Sequence, residues 1–142
     1  MGVLLDAQAL VALFRDEPGA GEVESVLRRG DVSMTTPNLA ETLDVLTRVD
    51  GCDEQFLASL IGSLSISVIP MAEPHAWIAA RLRARHYHRA RSDVSLADCV
   101  LVAVAAPTDV IATADRAVLR MAEAEGVATL PLPDSRGRLP RA

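Results

Sequence analysis

Four acids in this chain lie at or near a helix start: Asp6, Glu41, Asp98 and Asp115. Asp6 ends the run Val3-Leu4-Leu5. Glu41 lies in the first turn or two after Thr36-Pro37. Asp98 is the one charge within residues 95–106, the most apolar run of the sequence. Asp115 sits in Thr113-Ala114-Asp115-Arg116. A carboxylate in apolar surroundings is costly unless it is paired, protonated or bound to a metal.

Taken singly, each acid has an ordinary reading. Asp6, Asp98 and Asp115 could each cap the free N–H groups of a helix, and Glu41 could be a solvated first-turn glutamate. Taken together they read differently. Four carboxylates on one edge would repel and resist ionisation unless a cation lay among them. An oxygen-only set without His or Cys selects a hard ion, Mg²⁺ or Mn²⁺. Such ions cleave phosphodiesters by activating water and stabilising the leaving oxygen.

Such a set needs a scaffold that brings strand ends to one place. Short apolar runs at residues 2–5, 32–35, 66–70, 109–112 and 127–132 read as buried strands. Between them lie helical patterns. Ala9, Leu10, Leu13 and Phe14 share one spacing. Residues 22–29 form a charged helix closed by Gly30. Thr36-Pro37 starts a helix carrying Leu39, Leu43, Leu46 and Val49, and Asp53 opens the next. Residues 73–89 form a long helix, and residues 113–125 another. Residues 95–106 are also read as a helix, because Ser95 and Asp98 approach a capping box and the run is too long for a typical strand. The alternation predicts one α/β domain: a parallel five-stranded sheet flanked by helices on both faces. It spans residues 1–133, with residues 134–142 expected to be a flexible tail. In such folds ligands bind at the carboxyl edge of the sheet, where the strand order reverses.

Composition narrows the function. The chain has 142 residues, is 50% hydrophobic and only 3% aromatic, and carries a net charge of −5. That length suffices for one domain with a proper core. The acidic balance argues against tight holding of nucleic acid by charge alone, but not against an enzyme that visits it briefly. There is no lysine, so phosphoryl-acceptor folds that need one beside their acids are set aside. No glycine-rich phosphate loop is present. Cys52 and Cys99 lie far apart, without a Cys-x-x-Cys motif, which suits a reducing cytoplasm. Met1-Gly2-Val3-Leu4-Leu5 lacks the basic start of a signal peptide, and the apolar run after Asp98 is too short to span a bilayer. The expectation is a cytoplasmic protein away from membranes.

The four acids fall in ordered motifs: Val3-Leu4-Leu5-Asp6-Ala7 with Ala9-Leu10, Asn38-Leu39-Ala40-Glu41, Ser95-Leu96-Ala97-Asp98, and Ala112-Thr113-Ala114-Asp115-Arg116. In this order the sequence resembles the PIN domain, and within it the VapC-like toxins of bacterial toxin–antitoxin pairs. The resemblance implies a divalent-metal-dependent endoribonuclease using Mg²⁺ or Mn²⁺, with Asp6, Glu41, Asp98 and Asp115 as its acidic metal site. It also implies a small VapB-like antitoxin that occludes the site, and a homodimer. One departure stands out. The family commonly has a small hydroxyl residue two positions after the first Asp, where this chain has Gln8. Thr113 keeps the family's hydroxyl before the last Asp. Gln8, Thr113 and Arg116 are thus candidates for supporting the metal ligands.

Arg81, Arg83, Arg85, Arg89 and Arg91 make one basic stretch. Arg81, Arg85 and Arg89 are candidate contacts for RNA phosphates, against the alternative of a solvated helix face. His75, His86 and His88 read as surface residues, Trp77 and Phe56 as core or dimer surface, and Cys99 as a small buried apolar residue. Two functions follow: a toxin ribonuclease, or a binding module of the same fold with weak or lost catalysis that acts through its protein partner.

Overall fold

The computed structural model describes residues 2–142. Its strands are β1 (Val3–Leu5), β2 (Val32–Thr35), β3 (Ile66–Ile69), β4 (Val110–Thr113) and β5 (Ala128–Pro131). Its helices are α1 (Ala7–Phe14), α2 (Ala20–Arg29), α3 (Thr36–Asp44), α4 (Glu54–Ser63), α5 (Glu73–His86), α6 (Leu96–Val104) and α7 (Arg116–Ala124). The strands form one sheet in the order β3-β2-β1-β4-β5, and every pairing is parallel. Val3 lies opposite Val32 on one side and Val110 on the other, and Leu5 opposite Ala112.

The chain builds outward from β1 through β2 to β3, then returns to add β4 and β5 on the other side of β1. The strand order therefore reverses between β1 and β4. Their carboxyl ends, Leu5 and Thr113, flank the crevice that such a reversal opens.

Successive strand residues point to opposite faces, and here both faces are covered. Leu4 and Ile111 join a core with Leu82 of α5, Cys99 and Leu101 of α6, and Val118 of α7. Leu5 and Ala112 join a second core with Leu10 of α1 and Val23 of α2. A smaller cluster holds Val11, Leu46 and Leu57. This is the predicted parallel five-stranded sheet with helices on both faces. The apolar run after Ser95 is a helix, with Ala97, Cys99, Val100, Leu101 and Val102 all buried. A helix that is apolar nearly all round can only be interior.

Local differences from the sequence reading have physical causes. Thr35, not Thr36, caps α3, because its extended backbone lets its hydroxyl accept the Asn38 N–H. Thr36 instead accepts the Met71 N–H. Beyond Asp44 the chain continues as a π-helical turn, Val45–Val49. That wider turn breaks the 3.6-residue phase, so Leu46 is buried while Val49 is 58% exposed. Helix α5 ends at His86, short of Arg89, where Tyr87 turns extended and His88 bridges to Ser92. Thr113 belongs to β4, and α7 begins only at Arg116. Trp77 and Phe56 are exposed rather than core. In residues 134–138 the Asp134 carboxylate accepts the N–H groups of Arg136 and Arg138 and pairs with the Arg138 guanidinium. Among the described residues, no helix is long and apolar enough to cross a membrane.

Candidate active site

Asp6 leaves β1 and caps α1. Its Oδ1 accepts the Ala9 N–H at 2.8 Å, and its Oδ2 accepts the Thr113 hydroxyl from the end of β4. The side chain is almost wholly buried. Burial pushes its carboxyl up to about 7, against the pull of the Thr113 and Ala9 hydrogen bonds, and the negative Asp98 and Asp115 add to the rise. Asp6 is thus a charge that this interior tolerates poorly by itself.

Asp98 occupies the third position of α6. Its Oδ2 accepts the Ser95 N–H at 2.8 Å, while the Ser95 hydroxyl accepts the Asp98 N–H at 3.0 Å. This reciprocal capping box fixes the carboxylate at the mouth of an otherwise apolar helix. Partial burial raises its pKa, the Ser95 N–H works against that rise, and Asp115 adds to it. Asp115 caps α7, with Oδ1 accepting the Ala117 N–H at 2.8 Å. Its own N–H donates to the Thr113 hydroxyl at 3.0 Å. Glu41 projects from the second turn of α3, and partial desolvation followed by the charge of Asp98 raises its pKa.

These four acids, with Ala7, Gln8 and Ser95, line one cavity of about 210 Å³. No basic side chain is on its wall. The structure therefore brings together all four carboxylates singled out in the sequence. Asp6 and Asp115 also cap α1 and α7, and Asp98 completes the capping box of α6. The capping bonds to Ser95 and Ala117 occupy one oxygen each of Asp98 and Asp115. Among the described residues, no three His, Cys, Asp or Glu side chains stand in a ready-made coordination arrangement. The donor set is nonetheless oxygen-only and rich in negative charge, which is the chemistry a hard cation requires.

Of the supporting candidates, Thr113 is fully buried and joins Asp6 to the backbone of Asp115. Gln8 is exposed and lies between the acidic cavity and a neighbouring one of about 270 Å³. Arg116 is exposed and lines a separate cavity with Asp134 and Arg138, on whose wall none of the four acids lies. None of Arg81, Arg85 and Arg89 lines the acidic cavity. Arg85 is held by Glu125 at 2.6 Å, and Arg81 and Arg89 are exposed. His86 also meets Glu125, at 2.7 Å.

The sequence reading missed the role of Asn38, which it placed only within a motif. Asn38 is completely buried, and its side chain bonds to three separate elements. The available signal was a polar residue three positions after Thr35 in the first turn of a half-buried helix.

The family model that matches the chain is that of the PIN domain, over residues 3–124. A comparison with curated protein sequences finds no match. Among solved structures, the chain is similar to one described as a toxin–antitoxin complex from Klebsiella pneumoniae, at 17% identity and a TM-score of 0.64, covering 90% of this chain and 97% of that one. It is also similar to FitAcB from Neisseria gonorrhoeae, at 22% identity and a TM-score of 0.62, covering 89% of this chain and 95% of that one. At these identities the likeness is one of fold.

Proposed function

The chain belongs to the PIN domain family, and from that premise we propose that it is a divalent-metal-dependent endoribonuclease, the toxin of a type II toxin–antitoxin pair. One observation carries the reading: four carboxylates from four separate chain segments line a single cavity at the reversal point of a parallel sheet.

Asp6, Glu41, Asp98 and Asp115 would hold Mg²⁺ or Mn²⁺. When bound, such an ion activates water and stabilises charge on the phosphodiester oxygens. The protein's own work is positional. The Ser95 N–H and the Ala117 N–H each fix one oxygen of a carboxylate. The Thr113 hydroxyl holds Asp6, and burial keeps water from screening its charge. Without a cation the site repels an RNA phosphate, since no basic residue lines the cavity. Exposed Arg81 and Arg89 are the proposed contacts for substrate phosphates, and Arg85 would have to leave Glu125 to join them.

The toxin assignment draws support from the similar structure described as a toxin–antitoxin complex. A VapB-like antitoxin covering the acidic cavity, a homodimer and a cytoplasmic location belong to the same proposal. Gln8, where the family commonly has a small hydroxyl, favours one alternative: a binding module with weak or lost catalysis that acts through its partner.

The test is cleavage of RNA by purified, partner-free protein. Cleavage should require Mg²⁺ or Mn²⁺ and stop with EDTA. Asp98→Asn should reduce the rate by about 100-fold or more, the scale of loss seen when a developing charge loses its stabilising group. It should still fold, because an amide oxygen can accept the Ser95 N–H as the carboxylate does. A variant that cuts as fast as the parent would refute the site. A parent that cuts no RNA would favour the binding module.

A further inference from the structure

Asn38 is a buried side chain that bonds directly to the segments carrying two of the four acids, and it shares a helix with a third. Its Oδ1 accepts the Ala7 N–H at 3.2 Å, and Ala7 directly follows Asp6. Its Nδ2 donates to the Ala97 carbonyl at 3.4 Å, and Ala97 directly precedes Asp98. The same Nδ2 donates to the Thr35 hydroxyl at 2.9 Å, at the end of β2. Glu41 lies three residues further along α3. The Asn38 carbonyl in turn accepts the Thr42 hydroxyl at 2.9 Å.

The residue type follows from these partners. Ala7 N–H is the first amide of α1, a donor with no partner inside its own helix. It needs an acceptor. The Ala97 carbonyl and the Thr35 hydroxyl oxygen need a donor. Among short side chains, asparagine offers an acceptor and a two-hydrogen donor on one planar group. Aspartate would lose both donated bonds and add a fifth negative charge near the acids. An aliphatic residue would leave the Ala7 N–H buried without a partner.

We propose that Asn38 is a positioning residue of the acidic site: it sets the separation of Asp6, Asp98 and Glu41 by tying α1 and α6 to α3. It touches neither substrate nor metal, and acts through the backbone on either side of the acids. The inference rests on the metal-site reading above for its consequence, though not for its geometry.

The experiment compares the full chain with Asn38→Ala, and with Thr42→Val as a control. Thr42 is equally buried and bonds to Asn38's own carbonyl, but reaches neither Ala7 nor Ala97. Three quantities are measured: Mn²⁺ affinity by calorimetry, unfolding in denaturant, and amide exchange at Ala7 and Ala9 in metal-free protein. Asn38→Ala should weaken Mn²⁺ binding by about 10-fold or more, the scale seen when a partner of a metal ligand is lost. Its Ala7 and Ala9 amides should exchange faster, since the Ala9 N–H reports on the Asp6 carboxylate. Thr42→Val should lose stability while keeping the parent's Mn²⁺ affinity and Ala9 exchange. The proposal is overturned if Asn38→Ala binds Mn²⁺ like the parent, or if Thr42→Val weakens binding as much. A parent that binds no Mn²⁺ overturns the metal-site reading instead. Exchange at Ala9 then decides the geometric claim by itself, and an unchanged rate in Asn38→Ala overturns it.

Discussion

The Thr113 hydroxyl donates to Asp6 Oδ2 across the gap between β4 and the start of α1, 107 residues apart in sequence. The Thr113 hydroxyl oxygen also accepts the Asp115 N–H, so one small side chain sets the places of two acids that follow neighbouring strands. No apolar residue of the same shape can make either bond of a buried hydroxyl that serves as donor and acceptor at once.

Thr113→Val keeps the volume and removes both bonds. It leaves the Asp115 N–H unpaired and the Asp6 carboxylate short of a donor. The expected loss of stability is about 1–3 kcal/mol. Mn²⁺ affinity should fall about 10–100-fold, as for other lost partners of metal ligands. Thr113→Ser retains the hydroxyl and should recover most of both. Denaturant unfolding and metal titration of the three proteins check this, and a valine variant that matches the parent in affinity would refute it.

Asp6 should make the metal-free protein less stable as pH rises. Folded, it keeps its proton up to about 7, against 3.8 for the free side chain. Between those values the folded state binds more protons than the unfolded one. Its contribution is therefore most favourable below the unfolded value and is lost as pH climbs toward the folded one. Asp44, Asp50 and Asp134, lowered mainly by hydrogen bonds, act in the opposite direction. The difference between the parent and Asp6→Asn isolates the effect. Between about pH 4 and about pH 7 the parent should lose stability relative to Asp6→Asn, on the order of a few kcal/mol. Excess Mn²⁺ at the upper pH should reverse that loss, because metal binding favours the ionised carboxylate. A flat difference across the range would contradict the burial argument.

Ser95→Ala removes the oxygen that accepts the Asp98 N–H, yet leaves the Ser95 N–H on the Asp98 carboxylate. Loss of a helix cap of this kind costs about 1 kcal/mol. RNA cleavage should fall less than in Asp98→Asn, since the carboxylate itself remains. Parallel measurement of thermal unfolding and cleavage rate would separate the two effects. An activity loss equal to that of Asp98→Asn would mean that the cap, rather than the charge, is what matters.

What the sequence determined by itself was local. Short apolar runs alternating with helical spacing set the α/β class and the parallel sheet, because buried parallel strands have no room for polar alternation. Ser95 three residues before Asp98 announced a capping box, and the structure has it. The acids were visible because each is a charge at or near a helix start with apolar residues beside it. The ends of elements were less legible. The π-helical turn after Asp44 and the stop of α5 at His86 arise from packing and loop contacts that no local pattern encodes.

Only the tertiary structure decided which groups meet. The reversal of strand order between β1 and β4 brings Asp6 and Asp115 to one crevice, and the crossings of α3 and α6 add Glu41 and Asp98. It also gave Asn38 and Thr113 their partners, at separations of 31, 59 and 107 residues. Hydrogen bonds of that reach depend on the register of strands and the seating of helices. A side chain's type tells what it can bond to, and the fold tells what it finds there.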